Sequence, residues 1–140
     1  KKNYGLKGNI TDLREERRYH FFKILDNKNL IFPGVMKILP KLKRKYKIAL
    51  ATGSSFSTYS HSTPKKFQEM FEFVVTINDV KKGKPHPDQF LLVAKKLKVK
   101  SETCLVVGDS TYDAIAAKIS KMDFVGVRTG FNLGKDLKNY

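Results

Sequence analysis

Apolar residues recur at three- and four-residue steps in some stretches of the chain and gather into short unbroken runs in others. The two patterns alternate. From Asp12 to Leu25, Leu13, Tyr19, Phe21, Phe22 and Leu25 are interleaved with charges, which predicts a helix with Thr11 as its N-cap. Val35, Ile38, Leu39 and Leu42 give an i, i+3, i+4, i+7 stripe after Pro33, so a second helix is expected over Val35 to Lys45, kinked or short because of Pro40. Tyr46 to Ala51 is an apolar run that ends in Thr52-Gly53-Ser54-Ser55, the pattern of a buried parallel strand feeding a polar loop. The Ser/Thr-rich stretch Ser54 to Thr63 has no periodicity and reads as a loop leading to a helix over Pro64 to Met70. Strands are then expected at Phe71 to Thr76, Thr103 to Val107 and Phe124 to Val127. Helices are expected at Pro87 to Leu97 and Tyr112 to Ser120.

Such alternation, with polar residues collected just after the strands, predicts a doubly wound α/β parallel sheet whose site lies beyond the carboxyl ends of the strands. The 140 residues suffice for one core, and 41% hydrophobic content with ten Phe and six Tyr places the chain among globular proteins. Lys and Arg number 28 against 13 Asp and Glu, a formal charge of +15, which favours anionic partners. The lysines are scattered over amphipathic segments and turns and read as a solvated face. No aromatic-basic motif accompanies them, so nucleic acid is not an expected partner. The single cysteine, Cys104, excludes an internal disulfide and a cysteine-based zinc site; it reads as a small buried strand residue in a reducing, cytoplasmic setting. No apolar stretch reaches the roughly 20 residues that cross a bilayer, so no membrane partner is expected.

Three clusters fall at strand ends: Thr52-Gly53-Ser54-Ser55, Lys82-Gly83-Lys84-Pro85-His86-Pro87-Asp88, and Gly108-Asp109-Ser110-Thr111-Tyr112-Asp113. A hydroxyl with free backbone N–H groups, a lysine in a proline-stiffened loop and a pair of carboxylates would together bind a phosphate and a hard divalent cation. Each also has a purely structural reading. Thr52 serves equally as a turn cap, Lys84 as a surface lysine, Asp109 as an N-cap and Asp113 as a first-turn acid favoured by the helix dipole. His61 and His86 read as loop residues rather than as acid/base catalysts.

The strand ending in Thr52, the string Gly83-Lys84-Pro85-His86-Pro87-Asp88-Gln89-Phe90, and Cys104-Leu105-Val106-Val107-Gly108-Asp109-Ser110-Thr111-Tyr112-Asp113 resemble motifs II, III and IV of the haloacid dehalogenase (HAD) superfamily. They are most similar to its phosphoglycolate phosphatase and β-phosphoglucomutase branch, and the match runs from about Phe32 to Val127. The resemblance implies a Rossmann-like fold of HAD type, with residues 1–30 the remnant of a helical cap and 31–140 the core. It implies that Thr52 and Lys84 are catalytic, that Thr52, Gly53, Ser54 and Lys84 bind phosphate, and that Asp109 and Asp113 hold Mg²⁺. The expected substrate is a small phosphorylated metabolite. The Ser/Thr-rich loop from Ala51 through His61 is also similar to the pseudouridine 5′-phosphatase group, whereas Gly108-Asp109-Ser110 is closer to phosphoglycolate phosphatases.

The family's motif I, a strand running into Asp-x-Asp-x-Thr or Asp-x-Asp-x-Val, has no counterpart here. Its first aspartate is the nucleophile and its second the general acid/base. Asp12-Leu13-Arg14 lacks the second aspartate and a preceding strand, and Asp26 is followed by Asn27 and Lys28. The expectation is therefore an incomplete sheet and a chain inactive by itself, part of a magnesium-dependent phosphatase. A noncatalytic phosphate-binding or regulatory module and a phosphomutase remain as alternatives, and oligomeric state is left open.

Overall fold

The computed structural model describes residues 9–25, 28 and 30–130. The outer parts of the two units expected from the sequence, 1–8 and 131–140, and Asp26, lie outside the described residues. Helix α1 spans Ile10–Leu25. Asn9, not the expected Thr11, caps it: the Asn9 Oδ1 accepts the Thr11 N–H at 3.1 Å. None of its residues is buried, and it meets the rest of the chain where the Phe22 ring stacks on His61 at 4.0 Å between centroids. Helix α2, Val35–Lys43, begins after Gly34 in the left-handed region at φ 89° and contains Pro40 within its length.

The strands are shorter than the apolar runs that predict them. Strand β1 is Leu50–Ala51 and β2 is Val74–Val75, paired in parallel with Leu50 opposite Val74. Inter-strand hydrogen bonds run slightly past the strand ends, Glu72 N–H donating to the Ile48 carbonyl at 2.8 Å and Leu50 N–H to the Phe73 carbonyl at 3.2 Å, but Tyr46, Lys47 and Phe71 lie outside them, because a strand extends only as far as its partner does. Between them the stretch expected to be a loop folds as helix α3, Phe56–Ser62, whose N-cap Ser55 accepts the Thr58 N–H at 3.3 Å. The short helix α4, Lys65–Gln68, follows Pro64. A 3-10 turn at Ile77–Asp79 leaves β2 under a capping box in which Thr76 and Asp79 satisfy each other's backbone.

Helix α5, Asp88–Leu97, leads through a 3-10 turn at Ser101–Thr103 to β3, Leu105–Gly108; helix α6, Thr111–Ile119, leads to β4, Asp123–Gly126. Strands β3 and β4 pair in parallel, Leu105 opposite Asp123 through Gly108 opposite Gly126. The expected single sheet is thus present as two parallel pairs, β1 with β2 and β3 with β4. Cys104 precedes β3 instead of lying in it; it is half-buried, and burial, aided by Glu102, pushes its thiol up. Both pairs share a core. Phe90 and Ala94 of α5, Ala116 and Ala117 of α6, Val106 and Met122 are buried together, with Ala51, Val99 and Phe124 packed on them. On the opposite face of the β3–β4 pair, Leu105 (60%), Val107 (63%) and Val125 (46%) are exposed.

Phe90 is the large side chain of this core, while its neighbour Leu91 is well exposed. Phe90→Ala should cost about 3–5 kcal/mol, as expected for emptying a close-packed aromatic site. Leu91→Ala should cost under about 1 kcal/mol. Urea unfolding midpoints at constant slope measure both.

Candidate active site

The carboxyl ends of β1 and β3 converge on one lysine. Lys84 sits in the loop between β2 and α5, preceded by Gly83 and joined to Pro85 by a cis peptide bond. Gly83 lies close against Ile77, whose Cδ1 would have to shift to admit a Cβ, 2.5 Å away as placed. The Lys84 stem passes over the buried Phe90 ring, its Nζ 5.7 Å from the centroid. Its ammonium donates to the Ala51 carbonyl at the end of β1 at 3.3 Å and forms an ion pair with Asp113 Oδ1 at 2.7 Å. The lysine side chain is 17% exposed and the aspartate 9%, so this pair is little screened by solvent.

Asp113 lies in the first turn of α6, where Ser110 is the N-cap. The Ser110 hydroxyl accepts the Asp113 N–H at 3.1 Å, and Asp113 Oδ2 accepts the Ser110 N–H at 3.2 Å and its hydroxyl at 2.5 Å. Both carboxylate oxygens are therefore engaged. Gly108 makes the approach: a Cβ there would lie 2.6 Å from Asp113 Cβ. Burial raises the Asp113 carboxyl, but the hydrogen bonds from Lys84 and Ser110 and the lysine charge outweigh it and hold the group below the usual carboxylate range. Asp109, at the end of β3, is half-buried, and its Oδ2 accepts from Thr129 at 3.3 Å. Gly130 closes over it, with room for no Cβ because one would lie 2.4 Å from the Asp109 carbonyl.

On the β1 side, Thr52 extends the ladder through its N–H to the Val75 carbonyl at 2.9 Å. Its hydroxyl oxygen accepts the Ser54 N–H at 3.1 Å, which leaves the hydroxyl proton available and folds the loop back on itself. The 3-10 turn after β2 holds this loop from outside, with Ile77 N–H donating to the Ser54 carbonyl at 3.2 Å and Asn78 Oδ1 accepting the Phe56 N–H at 3.0 Å. From α5, Gln89 Nε2 donates to the Thr52 carbonyl at 2.7 Å.

Lys84 thus reaches both the end of β1, next to Thr52, and Asp113. Thr52, Gly53 and Ser54 form one loop, and Asp109 and Asp113 flank the N-cap of α6. His86 is exposed in its loop, whereas His61, expected in a loop, is helical in α3 and stacked on Phe22. Among the described residues no group of three or more His, Cys, Asp or Glu is arranged to hold a metal ion. The two aspartates supply hard oxygen donors of the kind Mg²⁺ takes when one or two carboxylates, water and a phosphate complete its shell. In this arrangement Asp109 has the freer carboxylate. Gln89, Ser110 and Thr129 are the partners that the sequence did not single out. The N-cap of α6 is Ser110 and not Asp109, the cap weighed from the sequence; a serine three residues before an acid is the signal that could have found it.

Asp113→Asn should lower stability at neutral pH by about 3 kcal/mol, since it leaves the Lys84 charge without its buried partner. The folded carboxyl titrates below its unfolded value of about 4. Its contribution is therefore complete above that value and is lost as pH falls through the folded pKa. The gap between wild type and variant should close below about pH 4, as measured by denaturant unfolding across pH.

The sequence profile of the haloacid dehalogenase-like hydrolases matches residues 2–127. A phosphoglycolate phosphatase of Colwellia psychrerythraea is 28% identical over 123 residues, covering 86% of this chain and 54% of that protein. The pyrophosphatase PpaX of Bacillus cereus is 29% identical over 110 residues, 78% of this chain and 50% of that protein. The crystal structure of a candidate β-phosphoglucomutase from Thermotoga maritima superposes with a TM-score of 0.81 at 26% identity, covering 99% of this chain and 65% of the other. The chain spans about half the length of the two phosphatases it matches. With its α/β elements in the same arrangement as that structure and a profile match over most of its length, the chain belongs to the haloacid dehalogenase-like hydrolase family.

Proposed function

We propose that this chain is the phosphate-binding half of a magnesium-dependent phosphomonoesterase acting on a small phosphorylated metabolite. The observation that carries the reading is the position of Lys84 Nζ, between the carbonyl preceding Thr52 and the Asp113 carboxylate. A cation held by fixed partners beside a hydroxyl loop neutralises a phosphoryl group without having to reorganise during reaction. The Thr52 hydroxyl, with its proton free, and the Gly53 N–H then orient the phosphate oxygens, and the Ser54 hydroxyl lies in the same loop. Asp109, supported by Asp113, would hold Mg²⁺, which when bound neutralises charge on the transferring group.

The nucleophile belongs to residues other than the described ones in this reading. Asp113, the carboxylate in contact with Lys84, has both oxygens occupied. Parallel sheets have both faces covered, yet Leu105, Val107 and Val125 are open among the described residues. Residues 1–30 fit the end of a helical cap, with Phe22 resting on His61, and 31–140 the catalytic core. The likeness to a candidate β-phosphoglucomutase supports a phosphomutase as the nearest second reading.

In the full-length protein, Lys84→Ala should reduce hydrolysis of p-nitrophenyl phosphate by about 10²–10³-fold, and Lys84→Arg should not restore it, because a planar guanidinium cannot occupy the same point between Ala51 and Asp113. The 140 residues alone should release no phosphate from that ester in the presence of Mg²⁺. Turnover by the isolated chain would refute the claim that the nucleophile lies elsewhere.

A further inference from the structure

Gln89 lies in the first turn of α5 and is 0% exposed. Its Nε2 donates to the Thr52 carbonyl, but its buried Oε1 has no hydrogen-bond partner. An amide is a poor filler for such a place, because an aliphatic side chain of similar size would leave no unpaired acceptor behind. The bond it does make falls on the peptide between Thr52 and Gly53. In a trans peptide the carbonyl and the following N–H point to opposite sides. Holding the Thr52 oxygen toward α5 therefore turns the Gly53 N–H away from α5, to the open side of the loop. That N–H has no acceptor among the described residues, and a Cβ built on Gly53 would meet nothing within 4 Å. Glycine also makes this peptide the easiest in the loop to flip, since it accepts φ of either sign. A flip would turn a carbonyl oxygen, instead of a donor, toward an anion.

We propose that Gln89 is a positioning residue of the phosphate site: it locks the Thr52–Gly53 peptide so that the Gly53 N–H stands beside the Thr52 hydroxyl, both facing the phosphate. The proposal rests on the reading of this loop as phosphate-binding. Gln89 touches no substrate; it acts through the backbone of its neighbour. Thr52 Oγ1 is held by the Ser54 N–H on one side of the same peptide and Thr52 O by Gln89 on the other, so the loop has one orientation only while both bonds are made.

The test uses the full-length protein with p-nitrophenyl phosphate. Gln89→Met keeps the size and removes the donor; kcat/KM should fall roughly 10- to 100-fold, the effect of a misplaced binding group. Gln89→Glu supplies a readout that simple filling of space would not move. Ionised, its carboxylate repels the Thr52 carbonyl; protonated, its O–H donates to the same oxygen, and burial raises the pH at which this happens. The ratio of Gln89→Glu to wild-type activity should climb as pH falls, while the ratio for Gln89→Met stays flat. Thr52→Val separates the two levels of the argument. If it leaves turnover intact, the phosphate loop and the role of Gln89 both fail. If it lowers turnover while Gln89→Met stays within about twofold of wild type, the Gln89 assignment alone is wrong. Should Gln89→Met not fold, the pH dependence of the Gln89→Glu ratio decides, and a flat ratio overturns the proposal.

Discussion

One ammonium group ties the two halves of this structure together. The β1–β2 and β3–β4 pairs share no ladder, and what fixes the end of one against the end of the other is Lys84, bonded to the Ala51 carbonyl and paired with Asp113. The packing of α5 and α6 on the common core brings the pairs near each other, but hydrophobic contact is non-directional and cannot set a strand end to within an ångström. The ion pair can, because its strength in a poorly hydrated site depends steeply on distance. Buried ion pairs are often no more stable than the apolar groups that might replace them. This one is better understood as a means of placing a positive charge between two strand ends than as a source of stability.

Other features follow from the need to bring that charge in. Gly83 and Gly108 are sites where a Cβ would strike Ile77 and Asp113 respectively, so backbone and side chain pass closely on both sides of the lysine. Ser110 engages one oxygen of Asp113 and leaves the other for Lys84, which fixes the carboxylate plane as well as its position. The capping box of α6 is therefore both a helix start and the mount for the partner of Lys84. The first-turn acid weighed from the sequence is present in Asp113, and the same geometry leaves one of its oxygens paired with Lys84.

Much of this was visible in the order of residues. The alternation of apolar runs with helical stripes marks α5, β3, α6 and β4 to within a residue or two, because each has a sharp punctuation signal: Pro87, Gly108, Ser110 and Gly126. The pattern is less informative near β1 and β2, where runs such as Tyr46 to Ala51 look like strands throughout but hydrogen-bonding to β2 reaches back only to Ile48 and the strand proper is Leu50–Ala51. Pairing is a property of two segments, and a single run does not contain it. Helix α3 escaped for another reason: its serines and threonines lack the apolar stripe of an amphipathic helix, and its cap, Ser55, was one of many hydroxyls in the stretch. Gln89, between Asp88 and Phe90, could not be distinguished from an ordinary helix residue until its burial and its bond to Thr52 were seen.

In the proposed reading, the open face of β3 and β4 bears on where the reacting groups lie. Along β3 the exposed Leu105 and Val107 alternate with the buried Val106, and Val125 extends the exposed row across the ladder. Apolar residues on both faces are the mark of a strand meant to be covered twice, and α5 and α6 cover only the Val106 side. The same strand ends at Gly108-Asp109, so whatever covers the other face also bears on the position of Asp109. In the proposed reading, the uncovered face and the absence of a free nucleophilic carboxylate among the described residues thus meet at one strand. In that reading the half described here contributes a fixed cation, a hydroxyl loop and a pair of aspartates, groups that stabilise charge, and leaves bond-making to residues elsewhere.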